Sequence, residues 1–263
     1  MTAFFKMIAL TAFCILSVPA AAEVIRFDVE NHSQRRAWVD LPDNAKGAVP
    51  VVVLLHSFTG LDQRETVIGR AIRNAGYAAA APDLRSGIYS SEADRPSGRD
   101  FAAMTIRLIA VLRSDARFDS NKVALVGFSQ GADIGLNLAG GSPNFTANTI
   151  LAAVVAYYPG CVGKRTETTV PVQIHLGGKD VPTATAAECQ TLVDAYNQVN
   201  AGFGELHVYD GVYHAFNNPD ATSLGGNRVM RGQKLLTLYD RAATELAEKR
   251  TLGFLAKQFD RPR

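Results

Sequence analysis

Hydrophobic and polar positions alternate in blocks along this chain. Residues 24–29 and 36–41 have the period-two pattern of two strands that can pair as a hairpin. Residues 49–55 (V-P-V-V-V-L-L) form a continuous β-branched run, the mark of a strand buried on both faces. Residues 61–74 have helical spacing and run into Gly76, a C-terminal cap residue. A short apolar strand over 77–81 is expected to stop at Pro82. The pattern then predicts a helix over 100–114, a strand over 122–127 and a helix over 130–138. Strands over 150–157 and 170–176 follow, then a helix over 186–198 and a strand over 205–209. A long final helix over 228–249, with a shorter helical tail toward Phe259, closes the series.

Strand and helix in alternation argue an α/β fold: a mostly parallel central sheet of about eight strands with helices on both faces. Nothing reads as a repeat or a linker, so residues 23–263 are expected to be one domain. Residues 85–99, rich in Ser, Gly, Arg and Pro, are the longest stretch without a period and could form a lid or an ordinary surface loop.

The first residues break this picture. Lys6, an apolar run over 7–18 and then Pro19, Ala20, Ala21 and Ala22 have the layout of a secretory signal peptide over 1–22. The run is short for a membrane-spanning helix, so no stable membrane insertion is expected after cleavage. The mature protein would be periplasmic or secreted. In an oxidising compartment the two remaining cysteines, Cys161 and Cys189, are disulfide candidates, 28 positions apart. Hydrophobic residues are 47% of the chain, charged residues 20%, and the net charge is +2 with no basic run. That suits a sizeable core and argues against nucleic acid as a partner.

The candidate chemistry centres on Gly127-Phe128-Ser129-Gln130-Gly131. A buried strand precedes it and a helix follows, the setting in which G-x-S-x-G acts as a nucleophile elbow. A serine hydroxyl needs a base. Of the five histidines, His175 and His207 lie within strands and His32 precedes the core. His56 ends a strand and reads as a loop brace. His214 alone follows Ser129 on a loop after a strand, the chain order expected of a base. Asp180, on the turn after strand 170–176, fits as the orienting acid; Glu188, Asp194 and Asp210 are rivals. The oxyanion donors would be the backbone N–H groups of Gln130 and, from the loop after strand 49–55, Phe58. Arg85 and Tyr158 are candidates for the substrate pocket. The histidines show no metal-ligand spacing, and no metal is expected.

The segments V-V-V-L-L-H-S-F-T-G, A-P-D-L-R, V-G-F-S-Q-G-A and the later G-K-D and Y-H-A-F together resemble the dienelactone hydrolase family of the α/β-hydrolase superfamily. The resemblance implies a cofactor-free hydrolase of small-molecule esters or lactones. Where the namesake enzymes carry a cysteine nucleophile and a glutamate in the oxyanion loop, this chain has Ser129 and Ser57. Where they bind a substrate carboxylate with two arginines, Arg85 stands near one position and Asn218 at the other. The expected activity is carboxylic ester or lactone cleavage through a Ser-His-Asp triad and an acyl-enzyme. A peptidase on the same scaffold and a catalytically silent binding protein are the alternatives.

Overall fold

A computed structural model describes residues 22–29, 32–43, 45–85, 97–141, 151–226 and 228–261. The leader up to residue 21 and most of the 85–99 stretch therefore lie outside the described residues.

Eight strands form one sheet: β1 (Glu23–Val29), β2 (His32–Asp40), β3 (Val49–Leu55), β4 (Ala78–Asp83), β5 (Phe118–Phe128), β6 (Ala153–Tyr157), β7 (Val172–Gly177) and β8 (Gly204–Tyr209). Their order is β1-β2-β4-β3-β5-β6-β7-β8. β1 and β2 form the expected antiparallel hairpin, and β2 lies antiparallel on β4. From β4 to β8 every neighbouring pair is parallel. Parallel strands need crossovers, and helices α1 (Gln63–Asn74), α2 (Gly98–Ser114), α3 (Gln130–Ala139) and α4 (Ala186–Val199) lie between them, with α5 (Arg241–Phe259) last.

The apolar run of β3 shows why both faces are covered. Val51, Val53 and Leu55 point into a core shared with Met104 and Leu108 of α2, Leu136 of α3 and Leu192 of α4. Val52 and Leu54 point into a second core with Ile68 and Ile72 of α1 and Phe254 and Leu255 of α5. Alternate side chains of a strand face opposite sides, so a strand with both faces covered reads as unbroken hydrophobicity.

Two expectations are corrected. Pro82 does not end its strand: β4 runs on to Asp83, with Ala37 paired to Pro82. β3 pairs with β4 only as far as Ala80, so the missing N–H falls where β4 has β2 alone beside it. The final helix does not begin at 228. Residues Val229–Met230 (β9) and Gln233–Lys234 (β10) form a small hairpin. Arg231 and Gly232 at its turn have φ of 49° and 75°, as a two-residue hairpin turn of this hand requires. The helix starts only after Asp240, whose carboxylate caps the N–H of Ala243. The Arg231-Gly232 turn divides the stretch before Asp240, so the helix cannot extend back through it.

Candidate active site

β5 leads directly into α3, and the turn between them carries Ser129. Its backbone is forced to φ 51° and ψ −110°, outside the range an L-residue favours. Neighbouring glycines make the bend possible. A Cβ on Gly131 would lie 2.1 Å from the carbonyl oxygen of Leu55, and one on Gly127 would lie 2.3 Å from that of Gly131. Ser129 occupies the N-cap position of α3, yet its side chain makes no cap bond. Its hydroxyl is instead 3.1 Å from Nε2 of His214.

His214 lies in the segment between β8 and β9. Its N–H donates to the carbonyl of Leu236 at 3.2 Å, and Ala215 beside it has φ 53°. On the far side of the ring, Nδ1 lies 2.7 Å from Oδ2 of Asp180. An ionised carboxylate can only accept, so Nδ1 carries the proton and Nε2 is left to accept from the Ser129 hydroxyl. Asp180 is 1% exposed and sits on a turn after β7. That turn is held by Asp180 N–H to Gly177 O (3.0 Å) and Lys179 N–H to Val212 O (2.8 Å). The structure thus brings together Ser129, His214 and Asp180 from three separate loops. Glu188 instead takes the N3 position of a capping box in α4 with Thr185.

His56 is the loop brace expected of it. Its Nδ1 donates to Ser57 O at 2.7 Å, and its Nε2 accepts from Leu84 N–H at 3.2 Å. Burial pushes its pKa down, which suits the neutral ring this pairing needs.

A cavity of about 580 Å³ opens over Ser129 and His214. It is lined by Ser57, Phe58 and Thr59 with Arg64 of α1, and by Asn218, Ala221, Gly226, Arg228, Leu235 and Thr237 from the segment after His214. Phe58 is 44% exposed, with the guanidinium of Arg85 4.3 Å and that of Arg228 4.9 Å from its ring centre. Arg85, expected in the pocket, stacks on Phe58 but does not line the cavity. Tyr158 is not on the pocket surface, contrary to expectation. It is fully buried at φ 44°, with its ring edge-on to His214 at a 4.6 Å centroid distance. Its hydroxyl points away, donating to Asn217 Oδ1 at 2.6 Å and accepting from Arg64 Nη1 at 3.3 Å.

Arg64 and Arg228 were missed by sequence reasoning. Arg64 looks like an ordinary surface helix residue until the tertiary structure turns it inward. Arg228 was read as the start of a helix; the neighbouring Gly225-Gly226 and Arg231-Gly232 pairs were the available signals of a loop.

Cys161 and Cys189 are joined by a disulfide with Cα atoms 5.0 Å apart. It ties the segment after β6 to α4, on either side in sequence of the Asp180 turn.

Comparison with known proteins bears on the family and the fold. The sequence profile of the dienelactone hydrolase family matches residues 36–259. A candidate carboxymethylenebutenolidase of Yersinia pestis is 27% identical over 208 residues, covering 69% of this chain and 73% of the relative. A candidate dienelactone hydrolase from Klebsiella pneumoniae has a solved structure that superposes with a TM-score of 0.69 at 20% identity, over 90% of this chain and 100% of that one. A thermophilic esterase from Thermogutta terrifontis, solved with propionate bound, gives a TM-score of 0.68 at 15% identity, over 90% and 94%. The two structural likenesses bear on the fold.

Proposed function

The chain belongs to the dienelactone hydrolase family, a family of hydrolases that includes esterases, and on that premise we propose that it cleaves carboxylic esters or lactones of small molecules with Ser129 as nucleophile. The observation that carries this reading is the imidazole of His214, which spans Ser129 Oγ at 3.1 Å and Asp180 Oδ2 at 2.7 Å. The buried carboxylate of Asp180 holds the tautomer and stabilises the imidazolium that forms during turnover.

His214 Nε2 takes the hydroxyl proton as Ser129 Oγ bonds to the ester carbonyl carbon. The carbonyl electrons move onto its oxygen. Two backbone N–H groups meet that charge, those of Gln130 and Phe58. Gln130 is the first residue of α3, where a helix leaves its N–H without an intrahelical acceptor, and the positive end of the helix adds to it. Phe58 sits on a turn closed by Gly60 N–H to Ser57 O at 3.1 Å, and it lines the same cavity as Ser129. When the tetrahedral species collapses, His214 returns the proton to the leaving alkoxide, and the acyl group stays on Ser129. A water molecule then gives a proton to His214 and attacks the acyl carbon. The acid leaves and Ser129 recovers its proton. The net reaction is ester plus water to acid plus alcohol.

The test is Ser129→Ala against p-nitrophenyl acetate. Loss of kcat by about 10⁴-fold or more is expected, together with loss of labelling by a fluorophosphonate probe. Retained turnover in the variant would remove Ser129 from the role.

The same reading includes export. Residues 1–22 have the layout of a cleavable leader, and the Cys161–Cys189 disulfide suits an oxidising compartment. Among the described residues no helix is long and apolar enough to cross a membrane. Mass measurement of protein recovered from the periplasm or the medium is expected to give a chain beginning at Glu23; a full-length chain held in the cytoplasm would refute export.

A further inference from the structure

The guanidinium of Arg64 bonds to two loops of the site and reaches a third through the Tyr158 hydroxyl. Arg64 is the second residue of α1 and is only 3% exposed. Nη2 donates to Ser57 Oγ at 2.7 Å and to Thr59 Oγ1 at 3.3 Å, and also pairs with Asp62 Oδ2. Nε donates to Asp62 Oδ1 at 2.8 Å. Nη1 donates to the Tyr158 hydroxyl at 3.3 Å, and that hydroxyl passes the chain on to Asn217 Oδ1 at 2.6 Å. Ser57 and Thr59 are the residues on either side of Phe58, and their hydroxyls share a 2.7 Å hydrogen bond. Tyr158 carries the ring set edge-on against His214. Asn217 belongs to the same loop as His214.

A buried charge is expensive, and an apolar side chain of the same size would brace a loop at lower cost. What an apolar residue cannot do is hold two hydroxyls, a carboxylate and a phenol at fixed angles at once; the planar fork of arginine can. Phe58 itself is 44% exposed, with the guanidinium groups of Arg85 and Arg228 against its ring. Its neighbours on both sides, Ser57 and Thr59, are anchored on Arg64, and the turn they hold carries the Phe58 N–H. Hydrogen bonds to an oxyanion count only where the charge develops, so a small rotation of this turn costs rate rather than substrate binding.

We propose that Arg64 is a positioning residue for the hydrolysis described above, and rests on that reading: it locks the Ser57–Thr59 turn so that the Phe58 N–H faces the oxyanion formed over Ser129. Arg64 lines the cavity itself, and the lock acts through the two hydroxyls that flank Phe58. Its second arm, through Tyr158 and Asn217, keeps the His214 loop in register with the same turn.

The experiment compares Arg64→Met, Arg64→Lys and the double variant Ser57→Ala/Thr59→Val with the parent. It reads kcat and KM on p-nitrophenyl acetate, with reactive sites counted by fluorophosphonate titration and folding followed by circular dichroism. Per titrated site, Arg64→Met is expected to lose 10- to 100-fold in kcat with KM within about threefold. Arg64→Lys should recover part of that loss. The double variant leaves the Arg64–Asp62 pair in place and should lose kcat in the same selective way, by about 3- to 10-fold. If Arg64→Met does not fold, the lysine and double variants carry the test. Parental kcat per titrated site in the folded variants, or a loss that falls on KM, would overturn the proposal. Ser129→Ala run alongside separates the two failures. If it retains turnover, the serine mechanism itself is wrong; if it is inactive while the Arg64 and turn variants keep parental kcat, only the positioning role is lost.

Discussion

Three residues other than glycine at the site hold positive φ: Ser129 at 51°, Tyr158 at 44° and Ala215 at 53°. Each conformation costs about 1–3 kcal/mol and persists only where its surroundings enforce it. Here the enforcers are visible. Ser129 N–H donates to Tyr157 O at 3.0 Å, Tyr158 N–H to His175 O at 2.6 Å, and the chain beside Ala215 is held to Leu236. The strain is thus stored where a hydroxyl, an aromatic support and an imidazole must be aimed. Gly131 is the counterpart that lets α3 approach β3. Gly131→Ala would drive a methyl group into the backbone of Leu55, and neither partner is a flexible side chain. The expected outcome is a loss of at least about 3 kcal/mol of stability, read as a drop in Tm of roughly 10 °C or as failure to accumulate soluble protein.

At the scale of elements, capping explains where helices begin better than apolar spacing does. Three helices start on capping boxes: Asp62 with Glu65, Ser97 with Asp100, and Thr185 with Glu188. The expected starts at 61, 100 and 186 lie within two residues of the first helical residues, Gln63, Gly98 and Ala186. The fourth case failed because the Arg231-Gly232 turn interrupts an apolar series that mimics a helix. The α1 box also carries an unusual acid. Glu65 is 4% exposed, and burial pushes its carboxyl pKa up to about 7 despite the Asp62 N–H it accepts at 2.8 Å. The folded pKa lies above the unfolded one, so the folded chain binds the extra proton between about pH 4.5 and 7. The protonated form's contribution is complete below that window and is lost as pH rises through it. Glu65→Gln keeps the capping acceptor without a charge. Relative to the parent it should gain on the order of 2–3 kcal/mol at pH 8 over its effect at pH 4.5, measured by urea unfolding at both values. An equal difference at the two values would mean that Glu65 ionises without cost.

For the whole molecule, the parallel order from β4 to β8 sends the turns after β3, β5, β6 and β7 to one end of the sheet, and the segment after β8 joins them. That is where open α/β sheets gather ligand-binding loops. Ser57, Ser129, Tyr158, Asp180 and His214 come from five such loops, so no local stretch holds the site. The Cys161–Cys189 disulfide closes a loop of 28 residues around one of them, the turn that carries Asp180. Reduction should lower stability by about 3–4 kcal/mol in the chain-entropy view. A Tm about 10 °C lower after treatment with reductant is expected, with kcat falling before global unfolding if the Asp180 turn loosens first. An unchanged Tm would show that the bond adds nothing to the packing already there.

The amino-acid order by itself determined the alternation of strands and helices, the two-faced burial of β3, the tight turn at Ser129 and the set of polar residues able to do chemistry. These are local properties: side-chain periodicity, β-branching, and glycines at a bend. It also narrowed the imidazole to His214 through chain order. Only the tertiary structure decided that Tyr158 is buried away from the pocket, that Arg64 turns inward, and that Asn218, Ala221, Arg228 and Leu235 line the cavity. Those outcomes depend on contacts between residues far apart in the chain, Arg64 with Tyr158 or Tyr158 with Asn217. A pattern along the chain holds no information on such contacts, because the desolvation cost of a buried arginine and the partners that offset it exist only once the loops have met.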